Sequence, residues 1–330
     1  MRAEIIVFGL IAAAIIAATT FISVPAATQV NSTLPNLGAA PELVGISGWI
    51  NSAPTNISSQ RGKVILIDFW TYSCINCIRT LPHLRMWHEK YPELVIIGVH
   101  TPEFEFEKDY NNVKSAVEKY GLKYAVAQDN NYETWKAFGN RYWPRKYLID
   151  REGNIRYDHI GEGGYEETEK AIQSLLGITK EMMNVSSVDI SGIGTPELYL
   201  GYLFARAPLG NPEGFQPGSV VNYRMTNITQ ANTIYLSGMW KNEQDRMIAY
   251  GPSRLFLVYK AKNVNIVAGG NSSVEVFVDG VPSNGVDVKD GSGSISSHRL
   301  YNIVEGSDYE VHVLEIGAEP GFELYTFTFG

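Results

Sequence analysis

A run of seven residues, apolar or aromatic except for Asp68, lies just before the only two cysteines of the chain. Val64–Trp70 reads VILIDFW, and such a run is typical of a central strand that is covered on both faces. Cys74 and Cys77 follow, and Cys74–Tyr91 predicts a helix that Pro82 must kink because proline removes an internal hydrogen bond. The cysteine pair is therefore expected where a buried strand ends and a helix begins.

The spacing of Cys74 and Cys77 leaves two kinds of site open. The pair could be half of a zinc site, but structural zinc needs four ligands, and no second cysteine pair or close histidine pair follows. No coherent ligand set surrounds His83, His88 or His100. The sequence therefore favours a redox-active disulfide between the two cysteines and predicts no metal and no other cofactor.

The expected position of the pair suits thiol chemistry. A helix N-terminus has partial positive charge and unpaired N–H groups, which favour the thiolate of Cys74 as the attacking sulfur. Cys77 lies one turn further on, and its attack on a mixed disulfide at Cys74 would release the substrate. Asp68 stands in the apolar strand, where an ionised carboxylate is costly, and we interpret it as a proton acceptor for Cys77.

Strand and helix patterns alternate between residues 64 and 176, which predicts an α/β domain with a mixed sheet. Beyond Met182 only strand-like segments recur, with Gly, Asn and Asp turns between them, which favours a β-sandwich. Candidate strands there are Arg254–Ala261, Val274–Asp279, Tyr309–Ile316 and Phe322–Phe329.

The N-terminus carries a second strong signal. Ile5–Ile22 is an uncharged, largely apolar stretch of 18 residues, and the next charged residue after it is Glu42. Such a stretch is either a membrane anchor or a signal peptide cut near Val24–Ala26, and both send the rest of the chain across the membrane. We expect a signal anchor or signal peptide at 1–27, a linker at 28–40, a redox domain at 41–182 and the sandwich at 190–330.

The charge balance excludes one class of partner. The formal net charge is -8, and nucleic-acid binding needs clustered Lys and Arg that this chain lacks. Glu103, Glu105 and Glu107 alternate with phenylalanines, which predicts an exposed edge with apolar anchors rather than an acid–base site.

Several long motifs resemble one superfamily. The segment Asp68–Pro82, DFWTYSCINCIRTLP, is similar to the active-site segment of the thioredoxin superfamily. Gly48–Ser52, Gly98–Asp109, Asn140–Asp150 and Gly161–Tyr165 narrow the resemblance to the soluble C-terminal region of DipZ-type proteins, which are relatives of TlpA-like thioredoxins that face the membrane.

The resemblance implies a fold and several roles. The redox domain would be thioredoxin-like, with Cys74 and Cys77 as its catalytic pair. Pro144 would be a cis proline against that pair and, with Trp143, would bind an extended substrate. The sandwich, beginning near Thr195–Tyr202, would be a jelly-roll-like domain similar to a carbohydrate-binding module, with a possible glycan ligand.

The resemblance also implies partners. DipZ-type proteins fuse this region to a multi-helix membrane domain that relays electrons, whereas this sequence shows a single apolar segment. We therefore expect a separate, CcdA-like membrane protein to reduce Cys74–Cys77 from the cytoplasmic side. The substrates would be thiols or disulfides of exported proteins at the outer face of the membrane.

Two rival functions stay open. Thr71 stands three residues before Cys74, as the peroxide-binding threonine does in peroxiredoxins, although Ile67 occupies the place of the expected proline. A peroxiredoxin-type thiol peroxidase is thus one alternative. The other is an anchored carbohydrate- or protein-binding module, in which aromatic residues of the sandwich would stack on sugar rings. The candidates are Tyr235, Trp240 and Tyr301, whose more ordinary role is core packing.

Overall fold

The computed structural model describes residues 34–182 and 189–330. The apolar segment Ile5–Ile22 and the expected anchor at 1–27 lie outside these residues. Within the two described ranges, no helix is both long enough and apolar enough to cross a membrane.

The first half of the described chain is an α/β domain. Its strands are β1 (Gly48–Ile50), β2 (Val64–Trp70), β3 (Leu94–His100), β4 (Ala125–Gln128), β5 (Arg145–Ile149) and β6 (Ile155–Ile160). Its helices are α1 (Ile75–Lys90), α2 (Tyr110–Lys119), α3 (Glu133–Ala137) and α4 (Tyr165–Leu176). The strands form one mixed sheet in the order β1-β4-β3-β2-β5-β6, with β2, β3 and β4 parallel and β5 antiparallel to β2.

The strand β2 lies inside the sheet and is buried along its whole length. Val64, Leu66 and Trp70 pack with residues of α1, α2 and α4, whereas Ile65 and Phe69 face the layer that contains α3. Side chains of a strand alternate between faces, so both faces of β2 must be apolar. The predicted strand and the helix after it are confirmed.

A short strand lies near the start of the expected redox domain. The strand β1 pairs antiparallel with β4, and Ile50 is buried. The sequence did not predict this strand, because a three-residue edge strand is too short to show a periodic pattern. The backbone N–H of Ala40 also donates to the carbonyl of Gly153, which ties the end of the expected linker to the α/β domain.

The second half is entirely β-structure among the residues described. Its strands are β7 (Leu198–Tyr199), β8 (Val220–Tyr223), β9 (Ile234–Asn242), β10 (Met247–Ala249), β11 (Ser253–Lys260), β12 (Asn263–Gly270), β13 (Ser272–Val278), β14 (Val281–Pro282), β15 (Val288–Lys289), β16 (Ser292–Ile295), β17 (Arg299–Glu305), β18 (Val311–Ala318) and β19 (Phe322–Phe329). Their pairings are antiparallel, in the order β15-β16-β13-β18-β11-β9-β10-β19-β12-β17, and β7, β8 and β14 pair with β19, β9 and β13.

The strand β9 takes part in both sheets of this β domain. Ile234–Ser237 pairs with β11, while Trp240–Asn242 pairs with β10. Gly238 lies between these parts with a φ of 85°, and a Cβ there would come within 2.7 Å of the Pro252 carbonyl oxygen. Only glycine fits such a bend. Inward residues from both groups of strands form one core, as the predicted sandwich requires.

The three aromatic residues proposed for sugar stacking belong to the interior. Tyr235, Trp240 and Tyr301 are 3%, 0% and 0% exposed. Their interpretation as core residues is confirmed, and none of them presents a ring face to a glycan.

An aromatic cluster joins the α/β domain to the β domain. Phe104, which follows β3, packs edge-on against Tyr325 of β19 with ring centroids 5.1 Å apart. Tyr199 of β7 and Val267 of β12 complete the buried cluster. Apolar burial of this kind holds the two domains against each other.

We expect Phe104→Ala to lower the free energy of unfolding by about 3–5 kcal/mol, because it leaves a cavity in the cluster. Phe104 is only 2% exposed. Tyr250→Ala is the control, since Tyr250 is 60% exposed and its truncation should cost no more than about 0.5 kcal/mol. Urea unfolding checks both values; equal effects would contradict the assignment of Phe104 to a joining cluster.

Candidate active site

The cysteines occupy the first turn of α1. Cys74 is the N-cap residue, with φ of -77° and ψ of 115°, and its Sγ accepts a hydrogen bond from the backbone N–H of Cys77 at 3.3 Å. N-cap side chains satisfy N–H groups that have no partner within the helix. Both thiols are free. The position at the end of a buried strand and the start of a helix agrees with the sequence prediction.

The two sulfurs have different access to solvent. Cys74 is half-buried, whereas Cys77 is 1% exposed. Burial raises the pKa of the Cys77 thiol well above its ordinary value, and its hydrogen bond with Cys74 adds to this effect. Cys77 therefore needs a proton acceptor before it can attack, whereas Cys74 is the sulfur that a substrate can reach.

Asp68 is a buried acid whose raised pKa suits it to accept this proton. It is 1% exposed, and burial raises the pKa of its carboxyl group from 3.8 to about 7, although Lys146 opposes the shift. Its Oδ1 has no hydrogen-bond partner among the described residues. The negative charge of Asp68 also raises the pKa of the Cys77 thiol, because it disfavours a second negative charge nearby. This is the electrostatic coupling expected of a proton donor–acceptor pair.

Lys146 is a site residue that the sequence reasoning missed. It lies opposite Asp68 in the pairing of β2 with β5 and is 0% exposed. Its Nζ donates to the carbonyl of Gly161 at 3.2 Å, and burial lowers the pKa of its ammonium group. The sequence did carry a signal for its position. Lys146 and Leu148 stand two residues apart in one strand and so share a face. Leu148 packs in the same cluster as Leu66, on the face of the sheet to which Asp68 also belongs.

The loop before Cys74 is fixed by a buried carboxylate. Glu107 is 0% exposed and accepts hydrogen bonds from Ser73 Oγ at 2.5 Å and from the backbone N–H of Phe104 at 3.0 Å. The expectation of an exposed acidic edge was wrong for Glu107, because these donors compensate its burial. Glu105 is exposed as expected, and Glu103 is half-buried.

Thr71, the residue that suggested a peroxidase, faces another partner. Its Oγ1 lies 3.3 Å from His100 Nε2, and both residues are fully buried. Burial lowers the pKa of His100 to about 3, so its ring is neutral at pH 7. The Thr71 hydroxyl thus has a partner in the interior.

The residues before β5 lie beside the cysteines. The Trp143–Pro144 peptide is cis, as the resemblance implies. Trp143 Nε1 donates to the carbonyl of Thr101 at 3.1 Å, and Trp143 lines the same cavity as Cys74. The substrate-binding roles of Trp143 and Pro144 remain predictions. In the part of the chain that the structure describes, no group of three His, Cys, Asp or Glu residues is arranged to hold a metal ion.

Two family models match the chain. Residues 40–158 match the AhpC/TSA family, and residues 195–330 match the thioredoxin-like C-terminal domain family. The first match covers the cysteine pair, and the second covers the β domain.

Several known proteins are similar to this chain. DipZ of Mycobacterium bovis and DipZ of Mycobacterium tuberculosis are each 37% identical to it over 316 residues, which make up 90% of this chain and 44% of DipZ. The chain thus spans less than half the length of these relatives. The thiol-disulfide oxidoreductase YkuV of Bacillus subtilis is 29% identical over 141 residues, 42% of this chain and 95% of YkuV.

Among solved structures, a thioredoxin-like superfamily protein aligns with a TM-score of 0.40 and 27% identity, covering 44% of this chain and 99% of that protein. The sheet order, the position of the cysteine pair and the sequence relatives together confirm the resemblance. The α/β domain is thioredoxin-like and similar to TlpA-type domains, and the chain as a whole is similar to DipZ.

Proposed function

We propose that this protein is a thiol-disulfide oxidoreductase that reduces or exchanges disulfides in exported proteins. The observation that carries the proposal is the division of labour between an accessible Cys74 at a helix N-terminus and a buried Cys77 one turn later. The similarity to YkuV, which is named for this activity, supports it.

The reaction uses the two sulfurs in sequence. The Cys74 thiolate attacks a substrate disulfide, forms a mixed disulfide and releases the first substrate thiolate. Cys77 then loses its proton and attacks Cys74 Sγ, which releases the second substrate thiolate. The Cys74–Cys77 disulfide holds the two oxidising equivalents, and no further cofactor enters the cycle.

We expect Cys74→Ser to lower insulin-reduction activity at least 100-fold, because the attacking sulfur is lost. Cys77→Ser should instead accumulate a mixed disulfide at Cys74, since the resolving sulfur is absent. Turnover assays and mass spectrometry of the alkylated protein check both outcomes. An active Cys74→Ser variant, or wild-type turnover by Cys77→Ser, would contradict the assignment.

A peroxidase is the second candidate, because residues 40–158 match the AhpC/TSA family. The Thr71 hydroxyl contacts buried His100, and Cys77 lies one turn after Cys74, where it can resolve a mixed disulfide at that sulfur. Exchange is therefore the better supported reaction. Consumption of hydrogen peroxide by the wild-type protein at a rate above that of its insulin reduction would reverse this order.

Asp68 is proposed to accept the proton of Cys77 during resolution. Only the ionised carboxylate can do so, and the pKa of Asp68 is raised by burial to about 7. The rate of resolution should therefore fall as the pH drops below 7 and level off above it.

We expect Asp68→Asn to slow resolution on the order of 100-fold at pH 8 and to remove this inflection, because an amide cannot accept the proton. The matched control is Asp290→Asn, since Asp290 is exposed in the β domain. Stopped-flow release of the second thiol measures the step. A slowing by Asp68→Asn no larger than the control's would refute the role.

Each turnover that reduces a substrate leaves the protein oxidised, so two electrons must be resupplied. We propose a CcdA-like membrane protein as the donor and the outer face of the membrane as the location. The apolar stretch Ile5–Ile22 supports a membrane position. A reductant should have a reduction potential of about -270 mV. The reduction potential of the Cys74–Cys77 pair therefore tests the direction of electron flow.

In cells that hold a CcdA-like protein, we expect a membrane-impermeant maleimide to label Cys74 on the full-length chain. Deletion of that protein should lower the labelled fraction at least fivefold, because the pair then stays oxidised. The Cys74→Ser variant is the background control. Equal labelling with and without the donor would contradict the donor, and labelling only after cell lysis would contradict the location.

A further inference from the structure

The β domain reaches the loop and helix that carry the cysteines. Tyr72, two residues before Cys74, donates from its hydroxyl to the carbonyl of His298 at 3.3 Å. Arg79 of α1 donates to the carbonyl of Phe329 at 3.1 Å. Tyr199 donates to the Glu103 carboxylate at 2.6 Å. Cys74 is therefore bordered by both domains.

Three adjoining cavities lie along the contact between the domains. The middle one, about 230 Å³, is lined by Cys74 and Trp143 on one side and by residues of the β domain on the other. Asn76 and Glu197 line both this cavity and a second one of about 470 Å³. Glu103 lines both the middle cavity and a third one of about 370 Å³. We call these three adjoining cavities the interdomain cleft.

The β-domain wall of the middle cavity contains a hydroxyl group that the fold itself does not use. Thr328 is 4% exposed and lines this cavity, yet its hydroxyl has no hydrogen-bond partner among the described residues. A buried hydroxyl without a partner costs free energy, which a ligand can recover. The Arg206 guanidinium lies over the ring of Tyr199 at 4.6 Å and lines the same cavity.

The two carboxyl groups of the middle cavity are also unusual. Burial raises the pKa of Glu103 to about 8 and raises the pKa of Glu197. With a pKa of about 8, the Glu103 carboxyl group is protonated at neutral pH and can donate as well as accept a hydrogen bond. The lining of the middle cavity therefore offers both donors and acceptors, as a peptide backbone requires.

We propose that the β domain forms half of the substrate site, and that the interdomain cleft binds an extended, cysteine-containing segment of another polypeptide across Cys74. Tyr199 and Thr328 are the specificity-determining residues of this wall. The proposal rests on the oxidoreductase function and names its substrate class. A cavity at Cys74 that adjoins two further cavities between the domains suits a chain in extended form, which can occupy all three at once.

Three probes that release the same leaving group distinguish an extended peptide, a folded protein and a small disulfide as substrates. They are a ten-residue flexible peptide whose central cysteine carries thionitrobenzoate, a folded protein labelled in the same way on a surface cysteine, and 5,5′-dithiobis(2-nitrobenzoate) itself. Cys74 attacks the peptide sulfur and releases the thionitrobenzoate anion, and Cys77 then attacks Cys74 and releases the peptide thiolate. The dithiol becomes a disulfide and each probe disulfide is reduced.

We expect the reduced full-length protein to react with the peptide at least tenfold faster than with the folded protein, after each rate is divided by that with dithiothreitol. Thr328→Val and Tyr199→Phe should each lower the ratio of kcat/KM for the peptide to that for the small disulfide about threefold to tenfold, as loss of one hydrogen bond predicts. Thr233→Val and Tyr250→Phe, in the same domain but away from the cleft, should leave the ratio unchanged.

The remaining outcomes overturn the proposal. Equal reaction with peptide and folded protein would show that the cleft does not select extended chains. An equal loss with the peptide and the small disulfide would assign the cavity to a low-molecular-weight disulfide. If the wild-type protein reacts with none of the three probes, the oxidoreductase function itself fails, which separates that failure from failure of the cleft.

Discussion

The burial of β2 on both faces is the constraint on which the rest of the structure depends. Because β2 lies inside the sheet, the chain leaves the sheet at the carboxyl end of this strand, and α1 begins shortly afterwards at Ile75. The N-cap position then falls on Cys74, whose sulfur accepts a hydrogen bond from the backbone N–H group of Cys77. The same burial leaves Cys77 against the apolar layer. A difference in access between two identical thiols thus follows from where one strand ends.

The same strand brings a charge into the interior. Asp68 and Lys146 stand opposite each other on paired strands, and both are almost fully buried. Burial disfavours the charged form of each, while each favours the charge of the other. The balance places the pKa of Asp68 near 7, so a small change in surroundings shifts its proton. Stability alone does not require such residues, since apolar replacements of buried charges are often neutral or stabilising.

The sequence predicted the elements around the cysteine pair, which have the strongest patterns. The strand at 64–70 and the helix after it lie where the patterns placed them. Short elements such as β1 escaped because three residues show no period. Lys146 and Glu107 escaped for a different reason: long-range pairing and donors from other segments make their burial tolerable. Local sequence cannot show partners that only tertiary structure brings close.

The largest gap between sequence and structure concerns the second domain. Its strand pattern predicts a sandwich, but nothing in that pattern shows that Tyr199 and Thr328 face the cysteine loop across a cavity. The contact arises because Phe104 and Tyr325 bury apolar rings together, which draws the polar residues around them toward Cys74. The rings of Phe104 and Tyr325 attach the domains, and Tyr199 belongs both to this cluster and to the wall of the cavity. The Thr328 hydroxyl lies outside the cluster, so a substrate that it binds need not weaken the attachment.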